Sequence, residues 1–114
     1  MGDDRIDLVP GTLDMLVLRA LVPGALHGYA IVRRLQLQSD NVLQVEEGSL
    51  YPALHRMQRR GWIAARWGVS ECNRRAKFYR LTARGRRQLR ERVDVWRRMT
   101  TAIDAVLRAT PERA

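Results

Sequence analysis

The sequence predicts a mainly α-helical chain with one small β-hairpin and a long C-terminal helix. Three observations carry this. Apolar residues recur at helical spacing through residues 12–21, 28–38 and 48–61. The pattern then changes to two short runs of bulky and branched residues, 62–67 and 77–81. Residues 83–109 return to helical spacing, with a narrow apolar stripe that ends before Pro111. At 114 residues there is room for one core and not for two.

Residues 1–11, MGDDRIDLVPG, read as a loose arm. Thr12 is expected to cap a first helix with Leu13, Leu16, Val17 and Ala20 on its buried side, stopped by Pro23 and Gly24. The segment ALHG, 25–28, reads as a turn whose Gly28 opens a second helix to about Gln38. Tyr29, Ile31, Val32 and Leu35 form its apolar side, and Arg33 and Arg34 face solvent. Ser39, Asp40 and Asn41 break it, and Val42 to Val45 are expected to be extended.

The stretch EEGSLYPALHRMQRRGW, 46–62, organises the rest. Leu50, Leu54 and Met57 share one buried stripe, which leaves Gly48, Pro52, His55 and Arg59 on the opposite side. Ser49 and Arg56 lie on one shoulder of that side and Tyr51 on the other. Pro52 donates no N–H and is comfortable in a first turn, so the helix is expected to start near Gly48 or Ser49 and to end at Gly61. An apolar back with a front of hydroxyls, imidazole and guanidiniums suits a helix that docks on a core and enters a DNA major groove.

Trp62 and Trp67 on the first strand are expected in the core. A nine-residue basic connection, 68–76, separates the strands. A hairpin with a basic tip directly after such a helix is the plan of a winged helix-turn-helix. Thr82 caps the last helix, whose stripe is Leu89, Val93, Trp96, Met99, Ile103, Val106 and Leu107. Spanning about 40 Å at 1.5 Å per residue, this helix exceeds what one small domain needs, so its far half is expected to pack on a second copy. The organisation is thus an arm at 1–11, a DNA-binding domain at 12–81 and a dimerisation helix at 82–110.

The net charge of +9 is unevenly placed. Residues 1–55 balance to −3, residues 56–98 to +12 and residues 99–114 to zero. Such a basic block implies a polyanionic partner, with nucleic acid ahead of an anionic membrane. Ser49, Tyr51, Pro52, His55, Arg56 and Arg59 are the helix candidates for DNA contact, and Arg74, Arg75 and Lys77 those of the wing. His55 and Arg59 are expected to read bases, Pro52 a thymine methyl, and Ser49 and Tyr51 phosphates. Cys72 is the only cysteine, and His27 and His55 lie far apart, so no disulfide, zinc-like ligand set or cofactor is expected. No phosphate loop or catalytic constellation is recognisable, and an enzyme is not expected. The acidic start and the broken apolar run 13–22 predict neither secretory signal nor membrane span, which fits a cytoplasmic protein.

The runs TLDMLVLRAL (12–21), HGYAI (27–31), EGSLYPALHRMQRRGWI (47–63) and KFYRLTARGRRQL (77–89) resemble the PadR family of bacterial transcriptional regulators. The single C-terminal helix is similar to the family's compact branch. The resemblance implies a winged-helix homodimer that binds two-fold symmetric double-stranded operators, usually as a repressor. It also implies that a flat aromatic effector can sit at the dimer interface, at Trp96 here. The alternative from composition alone is a basic protein that coats nucleic acid without sequence preference. About six to ten cation–phosphate contacts predict that DNA affinity falls steeply between low and moderate salt. Fluorescence anisotropy titrations at several salt concentrations check this, and a flat dependence would contradict it.

Overall fold

The computed structural model describes residues 6–9 and 11–111. The elements in chain order are β1 (Ile6–Asp7), α1 (Thr12–Ala20), β2 (Leu26–His27), α2 (Gly28–Gln38), β3 (Leu43–Gln44), α3 (Glu47–Arg59), β4 (Ile63–Val69), β5 (Arg75–Leu81) and α4 (Ala83–Arg108). This is a winged helix-turn-helix with a long C-terminal helix, mainly helical with a small sheet, as expected.

Helix α3 is seated by its back. Leu50, Ala53, Leu54 and Met57 are essentially inaccessible and join Leu18 and Leu21 of the α1 region, Ile31 of α2 and Ile63 of β4 in one core. Its end is a Schellman turn. Gly61 adopts φ 77°, the Trp62 N–H donates to the Met57 carbonyl (3.0 Å) and the Gly61 N–H to that of Gln58 (3.0 Å). The start differs from expectation. Helix α3 begins at Glu47, so Pro52 is its sixth residue rather than part of the first turn. The Gly48 carbonyl that Pro52 cannot serve lies at an exposed position, where water can take the bond.

Helix α1 also differs. Its N-cap is Gly11, in a left-handed conformation with φ 91°, while the Thr12 hydroxyl donates to the Val9 carbonyl at 2.6 Å. Its buried side is Asp14, Met15, Val17, Leu18 and Ala20, and Leu13 and Leu16 are only half-buried. Arg34 turns back from α2 to donate to the Ala20 carbonyl (3.1 Å) and does not face solvent freely. Tyr29, expected on the apolar side of α2, is exposed.

The 25–28 segment is more than a turn. Leu26 and His27 form a third strand that pairs antiparallel with Tyr79 and Phe78, giving the sheet order β2-β5-β4. The hairpin is longer in strand and shorter in loop than expected. Register runs from Ile63 opposite Leu81 to Val69 opposite Arg75, and only residues 70–74 connect the strands. Within that loop Asn73 adopts φ 59°, and the Ser70 N–H donates to the Arg74 carbonyl (2.8 Å). Ile6 and Asp7 of the expected loose arm pair in parallel with Leu43 and Gln44, while residues 1–5 lie outside the described residues.

Helix α4 is locked to the end of α3. The Thr82 hydroxyl accepts from the Gly85 N–H (3.0 Å) and reaches the Gly61 and Trp62 carbonyls at 2.6 and 2.9 Å. Gly85 lies so close to Trp62 that a Cβ there would fall 2.0 Å from the Trp62 carbonyl oxygen. Leu89 is buried in the core, Val93 and Trp96 pack on its edge, and residues 101–110 are all exposed.

A polar bridge ties three helices together. The buried Asp14 carboxylate of α1 accepts from Arg56 of α3 at 2.6 Å and faces Arg92 of α4 at 4.0 Å. Arg92 lies over the Trp62 ring at 4.9 Å, and Arg60 over the same ring at 5.1 Å. Asp14→Ala leaves two partly buried guanidiniums without their anion and should cost about 2 kcal/mol. Gly85→Ala forces α4 away from Trp62 and should cost about 1–3 kcal/mol. Urea unfolding checks both as a lower midpoint with unchanged slope.

Candidate nucleic acid interface

The front of α3 stands clear of the protein. Tyr51, Pro52, His55 and Arg59 are exposed, and Tyr51, His55 and Arg59 recur every fourth residue in one row. Tyr51 begins that row against the start of α2. Its ring lies where a Cβ on Gly28 would stand 2.7 Å from the phenol oxygen, so Gly28 permits this close crossing of the two helices.

The same Tyr51 lines a cleft of about 630 Å³ whose other wall is the wing. His27, Tyr29, Glu71, Arg74, Arg75 and Lys77 share it. Three of the sequence-derived candidates, Arg74, Arg75 and Lys77, thus meet Tyr51 across one cleft. On the strands, Trp67 lies opposite Lys77 and Val69 opposite Arg75, which puts these four side chains on one face of the hairpin. Trp67, expected in the core, is 56% exposed, because the sheet extends past the core at that level. Its ring carries Arg75 at 4.8 Å and Lys77 at 5.9 Å, which holds both cations against the hairpin. The deep wall of the cleft includes Tyr79. Burial, and secondarily the Tyr51 phenol, raise its hydroxyl above the usual phenol range.

The other shoulder of α3 has a different character. Ser49 and Arg56 line a second cleft, of about 450 Å³, together with Asp7, Asp14 and Glu46. Glu46 is the N-cap residue of α3 and Glu47 its first helical residue, so acids already occupy the positive end of the helix. The Ser49 N–H is bonded to the Glu46 carbonyl at 3.0 Å. Acids thus gather on the Ser49 side of α3 and the wing cations on the Tyr51 side. Arg56 is half-buried and held by Asp14, so its charge serves to position α3.

His27, Tyr29 and Glu71 are members of the cleft that sequence reasoning does not select, nor does it find Trp67 behind the wing cations. The hairpin register places Trp67 beside Arg75 and Lys77, but that register depends on where a five-residue loop closes. His27 and Tyr29 come into view only once β2 joins the sheet.

Trp96 lies half-buried between α1 and α4, in a shallow groove of about 400 Å³ with Val9, Met15, Arg92, Val95 and Met99. Beyond it Met99, Ile103, Val106 and Leu107 are exposed, the last two by 73% and 76%. Asp94–Arg98 and Asp104–Arg108 pair one turn apart along the outer surface of this helix. No helix is long and apolar enough to cross a membrane among the described residues.

Comparison with known proteins agrees with this architecture. The model of the transcriptional regulator PadR-like family matches residues 17–91. A PadR family transcriptional regulator from Eggerthella lenta is similar at 33% identity and TM-score 0.74, covering 88% of this chain and 85% of that one. A PadR-like transcriptional regulator from Bacillus cereus is similar at 28% identity and TM-score 0.74, covering 88% and 95%. Bacillus subtilis PadR, in complex with operator DNA, shares the fold at 24% identity and TM-score 0.65, covering 73% of this chain and 47% of that one. With the family model spanning the helix-turn-helix, the wing and the start of α4, the chain belongs to the PadR-like family of DNA-binding transcriptional regulators.

Proposed function

We propose that the protein is a homodimeric repressor that binds a palindromic operator. Tyr51, Pro52, His55 and Arg59 enter the major groove, and Arg74, Arg75 and Lys77 hold the neighbouring backbone. The observation that carries this reading is the shared cleft, in which Tyr51, the first of the exposed row of α3, faces three wing cations. His55 and Arg59 lie along the row away from the cleft, where they can read base edges while Tyr51 stays near phosphate. Ser49 and Arg56 take no part in the contact, since one sits among acids and the other is bound to Asp14.

The partner for the far half of α4 is a second copy. Met99, Ile103, Val106 and Leu107 form an exposed apolar stripe of the kind that packs on another helix. Leu89 is already committed to the protomer's own core, and the interface starts beyond it. Two copies would bring the Trp96 grooves toward one another, making room for a flat aromatic effector whose binding changes the spacing of the two recognition helices.

Selection of bound duplexes from a random library should yield a palindrome with half-sites about one helical turn apart. Arg59→Ala should then relax the preference at one position per half-site, at a cost of roughly 1–3 kcal/mol. Equal affinity for selected and random duplexes would instead mark a coating protein without sequence preference. Sedimentation should give a dimer at micromolar concentration, and Ile103→Glu a monomer with weakened operator binding. Planar aromatic compounds should quench tryptophan fluorescence, and Trp96→Leu should abolish the response.

A further inference from the structure

We infer that the cleft between α2, α3 and the wing is a phosphodiester site in which His27 is the central donor. This deepens the DNA-binding reading and rests on it. His27 is only 8% exposed and serves two purposes at once. As N-cap of α2, its Nδ1 accepts from the Ala30 N–H at 3.2 Å. A ring nitrogen that accepts carries no proton, so in the neutral imidazole the proton sits on Nε2. That Nε2–H is buried, has no hydrogen-bond partner among the described residues, and belongs to a residue that lines the cleft. A buried donor left unpaired is costly, and such a group is explained when a ligand completes it.

The ring is fixed in place by its neighbours. The Phe78 ring meets it edge-on at 5.3 Å, and Tyr29 stacks alongside at 6.5 Å. Tyr51, Arg74, Arg75 and Lys77 line the same cleft, Arg75 and Lys77 from the hairpin face that carries Trp67, so an N–H donor, a phenol and three cations share one cavity. That is the chemistry of a phosphate monoanion. The source is duplex DNA, because the cleft lies between the helix that enters the major groove and the hairpin that reaches the adjacent backbone. Glu71 is the present neighbour of Nε2, at 3.8 Å and beyond hydrogen-bond reach, on a side chain 80% exposed. A phosphate that enters displaces this carboxylate, so Glu71 opposes DNA binding.

Two substitutions separate the two roles of the histidine. In the His27→Asn variant the shorter amide places its oxygen where Nδ1 accepts, so the cap is kept and the far donor is lost. His27→Gln reaches toward the Nε2 position and weakens the cap instead. His27→Asn should melt as the wild type does, yet bind selected and random duplexes alike roughly tenfold more weakly, because phosphate contacts carry no sequence information. His27→Gln should show the reverse, a lower melting temperature with more of the affinity retained. Glu71→Gln should tighten binding to both duplexes about twofold to threefold.

Single methylphosphonate substitutions in the selected duplex give a readout independent of folding yield. One uncharged position per half-site should weaken wild-type binding and leave the binding of the His27→Asn variant unchanged. A His27→Asn protein that binds both duplexes as tightly as the wild type overturns the assignment. So does competition by millimolar inorganic phosphate alone, which would make the cleft a site for the free ion. A wild-type protein that binds no duplex overturns the DNA reading itself, an outcome distinct from either.

Discussion

The orientation of α3 depends on three side chains, Leu50, Leu54 and Met57, none of which retains any accessible surface. Burying residues of this size stabilises by about 1.5–3 kcal/mol each, and no rotation of the helix about its axis keeps all three covered. Turning α3 by a quarter would bury Tyr51, or Ser49 and Arg56, in their place. The interface is therefore a consequence of the core. Whatever the α3 front does, it does from an orientation set by the residues behind it.

The Asp14 bridge adds direction to that seating. Hydrophobic contact resists rotation but tolerates small slides along the helix axis. A carboxylate at 2.6 Å from Arg56 does not. The same carboxylate faces Arg92, so a shift of α4 reaches α3 through one buried anion as well as through the Thr82 lock at the helix junction. Charges at the surface then sort by sign. Glu46 and Asp7 stand on the Ser49 side of α3, and Arg74, Arg75 and Lys77 on the Tyr51 side. In the proposed complex, this separation of charge would orient an approaching duplex before any base is read.

How much is legible in the sequence follows from what each feature depends on. The Thr82 cap, the Gly61 stop and the stripe of α3 depend on residues a few positions apart, and all three are where local reasoning puts them. Pro52 lies deeper in its helix than expected because one missing N–H at an exposed position costs little, and the helix extends past it. Trp67 suits a core by residue type, whereas its exposure is decided by how far the hairpin runs beyond the body of the protein. Arg56 reads as a free cation in the sequence because its partner lies 42 residues away on α1. The strand at Leu26–His27 has only two residues and no local pattern, so nothing nearby announces its pairing with β5. Without that strand, His27 and half of the cleft stay hidden. Helical periodicity reveals which face of α3 points outward, and only tertiary contacts reveal which of the outward residues are already engaged.

The seating of α3 is tested most directly by following the protein's own nuclei as a selected duplex is added. Amide resonances of residues 51, 53–59 and 67–77 should move most, while the methyl groups of Leu50, Leu54 and Met57 keep their positions and their mutual contacts. Loss of those methyl contacts on binding, or shifts gathered on the outer half of α4 with the α3 front unmoved, would contradict the account.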